Sequence, residues 1–392
     1  MNVYINKDLC LVFICRHESC AWFDSLVLVS DGGWTIELFA VVLNRSSVSP
    51  GIYFESCHDM IVHGSYLLKP KQSHLSLSFS KVVDCLNEHL ASLKDTCNLK
   101  MQAYPSPADQ LRTLLAQDAC RLMPCCFDAL SARLVEQAGF HLSFMSGFSV
   151  AAARSALPDT GLLTVTEMLD QGRSICEAVR IPVIGDGDTG HGNEANVRRT
   201  VQQFANAGFA GIMLEDQVAP KRCGHTGVKD VVNRELALAR IKAAVEARSQ
   251  GADLVIVART DARSALAVTD GDQAALDEAI WRLKAFADLG ADVLFLEAPR
   301  SEVEMRRFCV EVPGWRMANL LEGGITPLLP PDALAAMGFK LLAYPLTLLS
   351  SAAFAMREAL AALAVGRTPE RMLSFSELRS LVGFEDYDAL CD

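Results

Sequence analysis

Residues 211–226 read GIMLEDQVAPKRCGHT, and they concentrate more chemistry than any other stretch of the 392-residue chain. An apolar run, Gly211 to Leu214, ends in two carboxylates, Glu215 and Asp216. A short loop then presents Lys221, Arg222, Cys223, Gly224 and His225 side by side. Upstream, a second apolar run ends in Gly185-Asp186-Gly187-Asp188-Thr189-Gly190. The carboxylates Asp186, Asp188 and Glu215 at strand ends suit a hard divalent ion such as Mg²⁺, with Mn²⁺ as a substitute. Glycines between them let backbone approach an ion closely, although an Asp-Gly stretch standing alone is ordinarily a solvated turn. Cys223 lies beside two cations and an imidazole, which makes its thiol tunable; an isolated buried cysteine is instead a small hydrophobe. Ion-binding acids plus an acid/base thiol are equipment for making a carbanion and protonating it.

These residues need a frame. From residue 105 onward, apolar runs rich in β-branched or aromatic residues recur at Arg121–Cys126, His141–Met145, Pro182–Ile184, Gly211–Leu214, Leu254–Ala258, Val293–Leu296, Arg316–Leu320 and Lys340–Ala343. Amphipathic stretches separate most of them: Ala129–Ala138, Asn193–Ala207, Arg234–Arg248, Asp272–Leu289, Ser301–Val310 and the shorter Pro331–Met337. This alternation predicts a (β/α)₈ TIM-type barrel over 105–392; a doubly wound open sheet is the alternative, disfavoured by the lack of a Gly-rich nucleotide loop. Barrel enzymes carry their chemistry on the loops after the strands. Ser146 follows the second run, Asp186 the third, Glu215 the fourth, Arg259 the fifth, Glu297 the sixth and Asn319 the seventh.

Seven motifs in one order extend this reading: SGFSVAAARSALPDTGLLT (146–164), GDGDTGHG (185–192), LEDQ (214–217), KRCGH (221–225), ARTDAR (258–263), LEAPR (296–300) and NLLEGGITP (319–327). With them, residues 105–390 resemble the isocitrate lyase/phosphoenolpyruvate mutase superfamily, on the branch of 2,3-dimethylmalate lyase, 2-alkylmalate lyase and carboxyphosphonoenolpyruvate mutase. The resemblance implies Mg²⁺ held by Asp186, Asp188 and Glu215, with Asp159 reaching the metal site. It implies substrate contacts from Ser146, Gly147, Phe148, Gly224, Asn319 and Thr326. It implies catalytic roles for Cys223, Glu297, Arg259 and His225, with Cys223 protonating the carbanion left by C2–C3 cleavage of a 2-hydroxy acid. Lys221, Arg222 and His225 are expected to tune that thiol or to bind a departing carboxylate, and loop Gln217–Asp230 to act as a lid. The superfamily also implies a homo-oligomer, a dimer of dimers, with a helix exchanged between subunits; Leu348–Val365 and the tail 376–387 are the candidates.

The chain departs from the pattern in three places. The arginine with which methylisocitrate lyases hold a third carboxylate falls near Ser350, among apolar neighbours that include Leu346, Leu348 and Leu349. Phe144 stands where many lyases have tyrosine, which leaves the general base open. Cys223-Gly224 replaces the asparagine and serine of phosphoenolpyruvate mutase proper. The expectation is therefore an oxo-acid lyase acting on a 2-alkylmalate or dimethylmalate, one among the small di- or tricarboxylates. Alternatives are a carboxyphosphonoenolpyruvate phosphonomutase, an oxaloacetate hydrolase or decarboxylase, and an inactive barrel serving as a binding subunit.

A net charge of −11 argues against nucleic acid as a partner, and 51% hydrophobic residues support a large core. Residues 1–104 form an N-terminal extension that the motifs do not reach. Its apolar runs Leu9–Cys15, Ser25–Ser30 and Leu38–Asn44 fall short of the ~20 residues a membrane span needs, and it lacks a secretory pattern. A cytoplasmic or organellar-matrix location follows as the expectation. Cys10, Cys15 and Cys20 are spaced by five, unlike zinc pairs, and disulfides fit poorly with a reducing compartment. A start at Met101, after a poorly structured leader, is the other reading of this segment.

Overall fold

The computed structural model describes residues 3–6, 9–14, 23–27, 29–30, 33–40, 62–68, 105–225 and 229–391. The chain divides into two units, Met1–Gln102 and Ala103–Asp392. In the first, β1 (Val3–Asn6), β2 (Leu9–Ile14) and β3 (Phe23–Val27) form one antiparallel sheet. A second antiparallel sheet contains β4 (Val29–Ser30), β5 (Gly33–Ala40) and β6 (Val62–Leu68). The cysteine and histidine side chains of this segment, and hence the zinc and disulfide expectations, lie outside the described residues.

The second unit is a closed eight-stranded parallel barrel. Its strands are β7 (Arg121–Cys126), β8 (Ser143–Met145), β9 (Val183–Asp186), β10 (Gly211–Glu215), β11 (Val255–Thr260), β12 (Val293–Leu296), β13 (Trp315–Asn319) and β14 (Leu341–Tyr344). Leu341 pairs with Arg121 and closes the ring. The eight runs seen in the sequence are these eight strands, two with the same bounds and six displaced by one or two residues at one or both ends. Helix Pro107–Ala116 precedes β7, and its Leu111 and Leu115 are buried with the barrel interior. Leu111 lies against Gly211, at the start of β10, so this helix covers the N-terminal end of the barrel.

Side chains alternate along a strand, and the two buried layers follow that parity. Ile212, Leu214, Ile256, Ala258, Leu294, Leu296, Ala318 and Leu342 pack outward with the surrounding helices. Cys125, Phe144, Ile184, Met213, Val257, Phe295, Met317 and Ala343 fill the interior. Two residues on, at the C-terminal rim, the same inward parity delivers Ser146, Asp186, Glu215, Arg259, Glu297 and Asn319. The interior layer is the floor on which these polar groups stand.

Helix Thr347–Ala364 follows β14 and buries none of its residues. Phe354, Met356, Leu360 and Leu363 are all exposed on it. Its 18 residues have a mean hydropathy of 1.2, enough by length and composition to cross a membrane. Two short helices, Phe375–Leu381 and Phe384–Cys391, end the chain.

Candidate active site

One cavity of about 60 Å³ opens at the rim. At ~10–15 Å³ per water on this measure it holds about five waters, the scale of a small organic acid. Ser146, Phe148, Asp159, Asp186, Cys223, Gly224, His225, Arg259, Glu297 and Asn319 line it. Gly147, Asp188 and Glu215 are buried beside these residues. Thr326 is buried, does not line the cavity, and its Oγ1 has no hydrogen-bond partner among the described residues.

Ser146 caps helix Gly147–Ser155, its Oγ accepting from Ser149 N at 3.3 Å. The positive end of that helix therefore points at the rim. Gly147 N–H donates to Asp186 Oδ2 at 3.2 Å, and a Cβ at Gly147 would lie 2.5 Å from the same oxygen. Asp188 adopts a left-handed backbone (φ 49°), and its carbonyl accepts Glu215 N–H at 2.9 Å, which ties the Asp-Gly-Asp turn to the end of β10.

Three of the acids surround a lysine. Lys221 Nζ lies 2.8 Å from Asp159 Oδ1, 3.9 Å from Asp186 Oδ2, and against Asp188 Oδ1. Burial works against its charge, yet Asp188, Asp186 and Asp159 raise its pKa well above the ordinary value. Burial, opposed by Lys221 and reinforced by Asp186 and Asp159, pushes Asp188 up to about 7. Burial likewise raises Glu215, against the pull of Arg259. Among the described residues, no three His, Cys, Asp or Glu side chains are arranged around one point so as to hold an ion. The donor set nevertheless fits a divalent cation. It is all carboxylate oxygen, its carboxyl groups outnumber Lys221, Glu215 Oε1 is buried without a hydrogen-bond partner among the described residues, and Asp188 Oδ1 meets Lys221 without hydrogen-bond alignment.

On another wall, Arg259 spends its fork on Asp261, with Nε to Oδ2 at 2.8 Å and Nη2 to Oδ1 at 3.0 Å. Its Nε is also 3.2 Å from Glu215 Oε2, and its Nη1 is 3.5 Å from Glu297 Oε2. Ile325 N–H donates to His225 Nδ1 at 3.1 Å, so Nε2 carries the proton and donates to Glu297 Oε1 at 2.8 Å. Asn319 Nδ2 approaches Glu297 Oε1 at 3.4 Å. Burial alone would raise Glu297; the Arg259 charge and the His225 hydrogen bond overcome it and hold the carboxyl down at about 2.

Cys223 is half-buried on the loop between Gln217 and Asp230. The loop stems pair, Val218 N–H to Asp230 O at 2.9 Å and Val232 N–H to Asp216 O at 2.9 Å. Gln217 braces the interior through both atoms of its amide, accepting from Arg222 N and donating to Arg222 O, each at 2.9 Å. The cations beside the thiol go elsewhere than the sequence suggested: Lys221 to the acids, the Arg222 side chain to solvent, His225 to Glu297. A second thiol, Cys125, lies on the cavity floor; burial raises its pKa well above the ordinary value, so it is a neutral wall.

This geometry has relatives. A family model described as phosphoenolpyruvate phosphomutase matches residues 111–364. The chain belongs to the isocitrate lyase/phosphoenolpyruvate mutase superfamily. It is 41% identical over 282 residues to a 2,3-dimethylmalate lyase of Eubacterium barkeri, covering 71% of this chain and 94% of that protein. It is 40% identical to the chloroplastic carboxyvinyl-carboxyphosphonate phosphorylmutase of Arabidopsis thaliana, covering 70% of this chain and 80% of that one. A solved oxaloacetate acetylhydrolase with the inhibitor 3,3-difluorooxalacetate superposes with a TM-score of 0.68 at 34% identity, covering 73% of this chain and 96% of that one. The protein is thus an enzyme of the superfamily's carbon–carbon lyase/mutase kind.

Several residues around the site were not singled out by sequence reasoning. Asp261 is fully buried under Arg259. Asp216, adjacent to Glu215, points away from the cavity to Thr260 Oγ1 (2.6 Å), Asp261 N (2.9 Å) and Arg282 Nη1 (3.0 Å). Parity was the available signal, since neighbours on a strand face opposite ways. Lys229 is buried against Gly224 and Asp261, and nothing in the sequence marked it.

Proposed function

We propose that the protein is a Mg²⁺-dependent lyase that cleaves a 2-alkylmalate or dimethylmalate into a 2-oxo acid and a monocarboxylate. The observation that carries this reading is the make-up of the cavity wall. Leu321, Pro345 and Leu346 join Phe148 and the apolar floor, and Arg259 is the only arginine among the lining residues. Of the three leucines after the eighth strand, Leu346 lines the cavity; Ser350 is exposed on the helix beyond it. Such a wall accommodates an alkyl group better than a third carboxylate, whose burial without a cation is costly.

Asp186, Asp188 and Glu215, with Asp159 nearby, are the residues that would hold the metal. When bound it polarises the substrate's oxygens and stabilises charge that develops on them. The Ser146 hydroxyl and the positive end of the helix that starts at Gly147 face a substrate carboxylate. Arg259, oriented by Asp261, places its positive charge at the same rim. Glu297, held ionised and oriented by the donors Asn319 and His225, accepts the substrate hydroxyl. The hydroxyl proton passes to the Glu297 carboxylate, C2 becomes a carbonyl, the C2–C3 bond breaks, and its electron pair stays on C3. Cys223 gives its S–H proton to C3. The loop covers the cavity and keeps water from the carbanion. The exposed apolar helix Thr347–Ala364 and the tail helices are consistent with cover by a second copy of the chain, in an oligomer.

The test is a screen of malate derivatives with Mg²⁺, products read by NMR. A kcat/KM for 2,3-dimethylmalate or a 2-alkylmalate at least about tenfold above that for methylisocitrate, a difference of ~1.4 kcal/mol, is the expected result. A preference for a tricarboxylate, a phosphonate product, or hydrolysis of oxaloacetate as the dominant activity would overturn this reading.

A further inference from the structure

Lys229 has 2% of its side chain exposed, yet it does not line the cavity. Its ammonium donates to the carbonyl oxygen of Gly224 and lies 3.5 Å from Asp261 Oδ1. Asp261 grips Arg259, Arg259 faces Glu297, and Glu297 accepts from His225, the residue after Gly224. Charge alternates along this path: Lys229 and Arg259 are cations, Asp261 and Glu297 are anions. The path leaves the loop at the Gly224 carbonyl and returns at the side chain of the next residue, His225. Gly224 seats directly on it, because a Cβ there would lie 2.6 Å from Arg259 Nη2 and closer to Glu297 Oε1.

A peptide group is planar, so fixing its carbonyl fixes the N–H on its opposite side. A buried ammonium is tolerated only where acceptors surround it. Lys229 therefore has its partners only when the loop carbonyl and Asp261 are together, that is, with the loop seated. We propose that Lys229 is a positioning residue: its ammonium holds the Gly224–His225 peptide on the Asp261–Arg259–Glu297 network, and so sets Cys223 and His225 over the cavity. The proposal rests on the reading that these two residues face the substrate. It does not depend on which substrate that is.

The experiment uses Lys229→Met in the full chain. Alkylation of Cys223 by iodoacetamide, followed by mass spectrometry of its peptide, reports loop seating without any substrate. Cys223 should react at least about tenfold faster than in the wild type, while the buried Cys309 keeps its rate as a control on the fold. With dimethylmalate and Mg²⁺, kcat should fall at least about 30-fold with KM within about threefold, the range a charge-assisted hydrogen bond supplies. An unchanged Cys223 rate overturns the proposal, as does an equal acceleration at Cys309 in a folded protein. If Lys229→Met does not fold, Lys229→Gln is judged by the same two readouts. If the wild type does not turn over dimethylmalate, the substrate reading fails while the alkylation result still decides the role of Lys229.

Discussion

A single methyl group at Gly224 should separate the seated loop from the rest of the fold. Its Cβ would come within 2.6 Å of Arg259 Nη2 and nearer still to Glu297 Oε1, where ordinary contact begins near 3.4 Å. Neither neighbour can step aside. Arg259 is held in two places by Asp261, and Glu297 is fully buried between His225 and Arg259. Gly224 does not use the left-handed backbone region, so alanine carries no conformational penalty of its own. The cost is overpacking, about 1–3 kcal/mol, and it falls only on the seated loop. At 1.36 kcal/mol per factor of ten, the seated population drops about 5- to 160-fold. The assay is kcat at saturating dimethylmalate and Mg²⁺ beside a thermal melt. Gly224→Ala should lose at least about fivefold in kcat with Tm within about 2 °C, because the loop lies outside the core. Gly172→Ala is the contrast: its Cβ would collide with the Phe209 ring and reach Met145 Sδ at 3.4 Å, inside the core. That variant should lower Tm by several degrees. A kcat within about twofold of wild type for Gly224→Ala would refute the seated geometry.

Chelation of divalent ions should abolish turnover, and Mg²⁺ or Mn²⁺ should restore it. Mg²⁺ should also raise the wild-type Tm but not that of Asp186→Ala, a readout independent of activity. Cys223→Ser should lower kcat about 10²-fold or more with little change in KM, as loss of a general acid does; near wild-type turnover would remove the thiol from the reaction. Glu297 gives a pH prediction. Its folded pKa of about 2 lies below the unfolded value of 4.5, so its contribution is complete above about pH 4.5 and is lost as pH falls toward 2. Glu297→Gln should therefore flatten the acid limb of a pH–stability curve. An unchanged acid limb would mean that this carboxylate is not held as the structure places it.

The eight strands, their order and the polar residues at their C-terminal ends were legible in the chain itself, because apolar periodicity and strand parity are local properties. Counting two residues on from Met213, Phe295 or Met317 reaches Glu215, Glu297 or Asn319, and the count needs no coordinates. Charge pairing is not local. Glu215 and Asp216 are adjacent, and only the packing of β11 and of helix Asp272–Asp288 turns Asp216 into a buried partner of Arg282 rather than one more rim acid. Lys221 and Lys229 look alike as loop cations on one side of a thiol and the other. The fold sends one among Asp159, Asp186 and Asp188, from two different rim loops, and the other to Asp261 on a third. A buried ammonium goes where unpaired carboxylate oxygen is nearest, and that distance exists only after the barrel has closed.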